Sequence, residues 1–371
     1  MRSPDDLRPP CTQARGVRAL DDPVEPTLTD LAPPRPAGHP APPDPATLFE
    51  EHRVALTGYA YRMLGSAVDA EEAVQDTFVR AWRGYGAFEG RSALRSWLYR
   101  IVTNVCLDML NGRRRRALPT DLEAPSSSVR SGTTSLPEGS WVEPVPDGRV
   151  LPATVDPGEA AVARESIRLA FVAALQHLPP RQRAVLILRD VLRWRATEVA
   201  DLLDTTVVSV KSSLQRARAT MAAHRPAGAG APSVSGEMTD AQRALLARYV
   251  EAFERYDVDS LVGLLREDAT LTMPPGSLWL RGAVDIARWW RGEGSQCRGS
   301  RFVPVAASGS LAVAQYRPRP GPCPGEHHAF GIQVVTVVGD RITAIDAFIQ
   351  PELVGLFGLP AVLPPSLVTP S

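Results

Sequence analysis

Hydrophobic and polar positions alternate with helical spacing almost throughout residues 46–111, which predicts helices over Thr47–Leu64, Asp69–Trp82 and Ser92–Asn111. The turn GYGAFEGR separates the last two. In the second helix Ala73, Val74, Phe78 and Ala81 form the apolar side, which leaves Glu71, Glu72, Gln75, Asp76 and Arg80 outside. In the third, Trp97, Leu98, Ile101, Val105 and Leu107 supply packing, while Arg95, Arg100, Asn104, Asp108, Asn111 and the run Arg113, Arg114, Arg115 and Arg116 are polar. Trp97 shares a stripe with Ile101 and reads as core rather than as a stacking platform.

The same spacing resumes at 196–221, ATEVADLLDTTVVSVKSSLQRARATM, with a break in the middle. Val199, Leu202 and Leu203 share one face of a first helix, and Ala200 is small enough for a second helix to approach. Asp204 stands at the turn, where its short polar side chain tolerates a left-handed backbone. Thr205 or Thr206 caps the second helix. In that helix Val210, Leu214 and Ala217 face inward, and Ser209, Lys211, Ser212, Ser213, Gln215 and Arg216 face out. From Thr205 to Arg225 there are basic side chains and no acid, and Lys211 is the only lysine of the protein. A helix-turn-helix with such a donor-rich outer face suits phosphates and guanine edges.

Beyond residue 238 the pattern changes. Thr239 caps a helix carrying Leu245, Leu246, Tyr249, Val250 and Phe253, DVDSLVGLLRED gives a second, and strand-like runs come after them: ATLTM, FVPVA, LAVAQY, FGIQVVTVV and ITAIDAFI. One helix, AVDIARWWRG, interrupts them, and Gly339-Asp340 is a hairpin turn. Two helices, strands, a helix and a long antiparallel sheet predict an α+β unit.

Composition divides the chain. The 35 prolines and 28 glycines of this 371-residue sequence concentrate in a tail and two connections. The expected organisation is a disordered Pro-rich tail (1–45), a first all-α domain (46–116), a flexible linker (117–160), the helix-turn-helix domain (161–223), a hinge (224–237), the α+β domain (238–350) and a C-terminal tail (351–371). Net charge is zero, so affinity for nucleic acid rests on segregation. Residues 69–76 carry four acids, and residues 91–116 carry seven arginines against Asp108 alone. Cys11, Cys106, Cys297 and Cys323 lack metal-ligand spacing, and neither metal nor cofactor is expected. No apolar run reaches the roughly 18 residues of a membrane span and no secretory signal pattern opens the chain, so a cytoplasmic protein is expected.

Three blocks together, DAEEAVQDTFVRAWR (69–83), LRSWLYRIVTNVCLDMLNGRRRR (94–116) and LQHLPPRQRAVLILRDVLRWRATEVADLLDTTVVSVKSSLQRARATM (175–221), resemble extracytoplasmic-function sigma factors of bacterial RNA polymerase. The resemblance implies two sigma domains. The acidic helix, through Glu71, Glu72, Gln75, Asp76 and Arg80, would dock on core polymerase. The third helix, through Arg95, Arg100, Asn104, Asp108, Asn111, Arg113 and Arg114, would read and open the minus-10 element, with Asn104 and the loop Phe88–Arg91 receiving a flipped base. The helix-turn-helix would read the minus-35 element. The linker would thread the RNA exit channel, with Trp141, Glu143 and Asp147 as an anchor. The C-terminal part is similar to the NTF2-like or SnoaL-like cone that a subgroup of these sigma factors carries, where it is thought to regulate in cis. The implied partners are core polymerase and promoter DNA, with room for an anti-sigma protein and a small-molecule ligand of the cone.

Tyr249, Asp268, Trp279, Trp289 and one histidine of the pair His327-His328, taken as His328, are the residues that could line such a cavity. They are too scattered to make a catalytic set, so no enzyme activity is expected. Two other readings stay open: a helix-turn-helix regulator that never touches polymerase, and an NTF2-type enzyme fused to a DNA-binding module. The apolar end LVGLFGLPAVL (353–363), with Leu356, Phe357 and Leu359, either plugs its own cone or latches it to the sigma domains.

Overall fold

The computed structural model describes residues 44–88, 93–113, 115–122, 125, 135–137, 139–152, 156–224, 239–318 and 326–364. Residues 1–43 of the tail expected over 1–45, Arg114, most of the hinge and most of the loop Phe88–Arg91 lie outside the described residues, while Asp44 and Pro45 already begin the first helix.

Four helices open the structure: α1 (Pro45–Glu50), α2 (Arg53–Leu64), α3 (Ala67–Gly84) and α4 (Leu94–Leu110). The helix expected over 47–64 is broken at Glu51–His52. Phe49 is thereby turned into a ring cluster with Phe78, Tyr85 and Trp97, at centroid distances of 5.9, 5.6 and 6.4 Å. Ser66 caps α3 by accepting from the Asp69 N–H at 3.1 Å. The buried side of α3, Ala67, Ala70, Val74, Thr77 and Ala81, recurs at three and four residues as an amphipathic helix requires. In α4 the fully buried positions are Leu98, Tyr99, Val102, Thr103, Val105 and Cys106, while Trp97 is only half-buried and stacks on Phe88.

Two short helices, α5 (Pro119–Leu122) and α6 (Asp147–Val150), flank a strap that contains Trp141 and Glu143. A flexible linker was expected over 117–160, but Trp141, Val142, Val145 and Val150 are buried. The strap runs against α2, where the Glu143 N–H donates to Gly65 O at 2.9 Å and the Tyr61 hydroxyl to Glu143 O at 2.7 Å. Its other side meets the C-terminal unit: Val145 and Ser308 exchange two hydrogen bonds, the Gly309 N–H donates to Asp147 Oδ1 at 2.8 Å, and Trp141 Nε1 donates to Gln350 at 3.2 Å. A proline-rich stretch thus satisfies its few backbone groups on two neighbours at once, a pairing invisible to local periodicity.

The second helical unit comprises α7 (Pro157–Glu165), α8 (Leu169–Gln176), α9 (Pro180–Leu186), a π-turn over 187–191, α10 (Ala196–Leu202) and α11 (Val207–Ala223). Asp204 has a φ of 50°, and Thr206 caps α11 by accepting from the Ser209 N–H at 3.1 Å. Both helical units are joined through two buried arginines. Arg62 of α2 donates to Ser166 Oγ at 2.7 and 3.0 Å and to the carbonyls of Gly58 and Ala163. Arg183 of α9 donates to the carbonyls of Met63, Gln176 and Leu178 and to Gln176 Oε1. Neither has a carboxylate partner among the described residues, and burial pushes each guanidinium down to about 10.

The C-terminal unit begins with α12 (Asp240–Glu254) and α13 (Val258–Leu264), followed by β1 (Leu265–Thr272), β2 (Trp279–Arg281), α14 (Ala283–Arg291), β3 (Arg301–Ala307), β4 (Ser310–Pro318), β5 (His327–Val338), β6 (Arg341–Phe348), α15 (Pro351–Leu356) and β7 (Val362–Leu363). Thr239 and Gln242 form a reciprocal cap at α12. The strand order is β2-β1-β6-β5-β4-β3, with β7 on β5. One pair departs from the antiparallel expectation, since β1 runs parallel to β6. Both faces of the sheet are covered. Leu271, Val313, Val335 and Ile345 face the helices of the cone. Ala312, Ala314, Ile332, Val334 and Phe348 belong instead to one continuous apolar cluster with α2, the strap and α15. The C-terminal segment therefore covers the outer face of the sheet and does not plug the cone: Leu353, Val354 and Leu363 are buried there, and Leu356, Phe357 and Leu359 pack against them. No helix among the described residues is long and apolar enough to cross a membrane.

Candidate functional site

On α11 the burial of Val210, Leu214 and Ala217 fixes which face points outward. Ser209, Lys211, Gln215 and Arg216 are exposed, and Ser212 and Ser213 are half-buried beside them. Arg216 reaches Ser213 Oγ at 3.5 Å only, whereas Arg218 is held by both oxygens of Asp190 at 2.7 and 2.8 Å. Val208 is a residue that sequence reasoning missed. It stands 76% exposed in the first turn of α11, where an apolar side chain suits a thymine methyl, and its signal was an apolar residue outside the inward stripe.

The polar face of α4 is largely occupied within the chain. Arg100 donates to the carbonyl of Asp201 in α10 at 2.7 Å, and Arg95 lies over the rings of Tyr99 and Trp194 at 5.6 and 5.2 Å. Arg113 pairs with Asp69 at 2.8 Å, and Asp108 lies 3.3 Å from Arg80. Asn104 and Asn111 are exposed. Two of the side chains that the resemblance assigns to DNA, Arg95 and Arg100, thus face the second helical unit.

On α3, Glu71 pairs with Arg149 of α6, and Asp76 pairs with Arg80 at 2.9 Å. Glu72 and Gln75 remain exposed. They sit in a row with Val68, Val79 and Trp82, which are 53, 47 and 45% exposed. The spacing 68, 72, 75, 79, 82 is that of a coiled-coil seam, a pattern hidden in the sequence behind the charges of the same helix.

The cone encloses a cavity of about 410 Å3 between the inner sheet face and α12 and α14. Tyr249 and Trp289 line it. Asp268, Trp279 and His328 do not. Asp268 is exposed and ion-paired with Arg266, whose hydrogen bond holds its carboxyl below the usual range. Trp279 is buried in β2, and His328 sits where β4, β5 and β7 meet, 3.4 Å from Glu326. Strand register, which sequence alone does not fix, decides these three. The residues missed are Gln315 and Gln333, inward-facing polar positions in otherwise apolar runs. Tyr249 donates to Gln333 Oε1 at 2.6 Å, Gln333 Nε2 to Gln315 Oε1 at 2.7 Å, and Gln315 Nε2 to Ser300 Oγ at 2.9 Å. Burial raises the Tyr249 phenol and the Cys297 thiol, so both stay protonated at neutral pH.

A donor-faced helix-turn-helix on an all-α body, joined to an α+β cone with its own cavity, defines a DNA-binding regulator with a pocket domain. Residues 48–116 match the family described as Sigma-70 region 2, residues 168–221 match Sigma-70, region 4, and residues 246–345 match the SnoaL-like domain. The ECF RNA polymerase sigma factor SigG of Mycobacterium tuberculosis strain H37Rv is 46% identical over 316 residues, covering 84% of this chain and 82% of that protein. SigJ of the same strain is 32% identical over 248 residues, covering 65% and 70%. The crystal structure of SigJ overlays with a TM-score of 0.53 at 22% identity, covering 85% of this chain and all of the other, and so shares the fold. The chain belongs to the ECF RNA polymerase sigma factors.

Proposed function

We propose that this protein binds core RNA polymerase in the cytoplasm and directs promoter-specific transcription initiation, with the C-terminal cone acting on it in cis as a binding rather than a catalytic domain. Residues 46–116 engage core and the minus-10 element, and residues 161–223 read the minus-35 element. Residues 117–160 and 224–237 connect these units to each other and to the cone at 238–350, and 351–371 form its C-terminal segment. The observation that carries the reading is the face of α11, where Lys211, Gln215 and Arg216 stand exposed with no acid nearby in sequence. The seam on α3 supports a helical partner. Because Arg95 is spent on Trp194 and Arg100 on α10, the compact form is a closed one, and DNA engagement requires the two helical units to part.

Run-off transcription with purified core polymerase tests this. The full chain is expected to yield defined transcripts and to hold promoter DNA tightly only when core is present. Tight, sequence-specific binding by the chain alone, with no transcripts, would instead identify a regulator that acts without polymerase.

A further inference from the structure

The walls of the cone cavity specify more than an unnamed ligand. Phe253, Leu271, Met273, Trp289, Phe330 and Ile345 make them mainly apolar and aromatic. Among the lining residues there is no histidine, lysine or aspartate. The two charged ones sit at the rim: Glu293 is exposed, and Arg317 lies over the Phe330 ring at 4.6 Å while donating to Gln296 O at 2.6 Å. Arg317 is the one cation among the lining residues, and it is held on the Phe330 ring and the Gln296 carbonyl, so a ligand anion would have to draw it from both. The polar feature of the interior is the chain from Tyr249 through Gln333 and Gln315 to Ser300, which fixes the Gln333 amide in one orientation and spends only one of its two N–H groups. Gln333 is 5% exposed and lines the cavity, so its second N–H is left for a ligand held there.

One wall comes from outside the cone. Ser135 lines the cavity, bridges to Gly276, and is followed by Leu136, whose N–H donates to Pro275 O at 2.7 Å. This short segment belongs to the connection between the two helical units.

We propose that the cone binds a flat, uncharged, mainly apolar small molecule whose single carbonyl-type acceptor meets the Gln333 amide, and that Ser135–Leu136 closes over the filled cavity. Occupancy of the cone is thereby linked to the position of the connection between the two sigma units. The proposal rests on the reading of the cone as a regulatory domain and gives that regulation its ligand chemistry.

Titration of the full chain with three probes on one tricyclic frame tests it: 9-fluorenone, fluorene and fluorene-9-carboxylate, followed by calorimetry. Fluorenone is expected to bind about tenfold more tightly than fluorene, because only it satisfies the buried N–H, and the carboxylate most weakly. Gln333→Leu should erase the preference for the ketone while leaving fluorene binding in place. Leu136→Pro, which removes the donor to Pro275, should weaken fluorenone several-fold, and amide exchange at Ser135 and Leu136 should slow when fluorenone is bound. Equal affinity for ketone and hydrocarbon in the unmodified chain, preference for the carboxylate, no saturable binding of any probe, or indifference to Leu136→Pro would each overturn the assignment. Run-off transcription with and without fluorenone separates this from the regulatory reading. The predicted binding order with unchanged transcript yields would uphold the pocket chemistry and remove the regulation.

Discussion

Lys211 and Arg216 stand exposed on α11 with no carboxylate partner among the described residues, while Arg218, Arg113 and Arg149 are each paired. Arg216→Ala is expected to cost about 1–3 kcal/mol in promoter binding by the holoenzyme if it reads a base, and Lys211→Ala to lower the salt slope by about one if it meets a phosphate. Titrations of holoenzyme on promoter DNA at several salt concentrations check both. Unchanged affinity and slope in both variants would remove this face from DNA recognition. Asp204, Thr206 and Thr239 were legible in the sequence because turn and cap chemistry is local. Asp268, Trp279 and His328 were misread because a strand residue's direction depends on pairing with distant partners. A glycine was equally opaque: a Cβ at Gly58 would stand 2.5 Å from the carbonyl of Val150, so its absence lets the strap lie on α2.

At the level of elements, α3 carries two different uses on one helix. Its buried stripe and its charges were readable from spacing, but the outward seam becomes visible only once Val79 and Trp82 are seen uncovered. Reversing Glu72 and Asp76 to Arg, or truncating Trp82 to Ala, should lower capture of core polymerase while the chain keeps its helical circular dichroism, since none of these side chains is buried. Full retention of core in all three variants would remove this seam as the docking surface. The C-terminal segment behaves otherwise. Removing residues 353–371 takes Leu353, Val354 and Leu363 from the sheet, each side chain being worth roughly 1.5–3 kcal/mol when fully buried. The thermal midpoint of the deleted protein should therefore fall by several degrees. An unchanged midpoint would mean that the segment leaves the sheet in solution. Gly58→Leu should likewise loosen the strap, seen as faster amide exchange at residues 141–145.

Over the whole molecule, the two helical units, the strap and the outer face of the sheet share one apolar cluster, although the sequence reads as separate domains on flexible connections. The three units themselves were legible because each has its own hydrophobic period. Their mutual packing was not, because the groups that make it are isolated residues such as Tyr61, Trp141 and Ser308 in stretches without period. The closed form also sets what opening must break. Arg100 leaves the Asp201 carbonyl, Arg95 leaves Trp194, and both become available to phosphates.

Arg62 and Arg183 give this closed form an unusual response to heat. Each is a full positive charge taken from water and solvated only by carbonyls, amide oxygen and hydroxyl. The hydration that such a charge forgoes becomes more favourable as temperature falls, and the apolar contacts around it weaken in the same direction. Both trends favour separation of the helical units in the cold, so energy transfer between dyes on the exposed faces of α3 and α11 should drop reversibly on cooling, before any loss of helix. Transfer that holds steady or rises on cooling would show that the two cations do not govern the joint. A protein built this way closes as it warms, and Arg95 and Arg100 are most accessible at the bottom of its working temperature range.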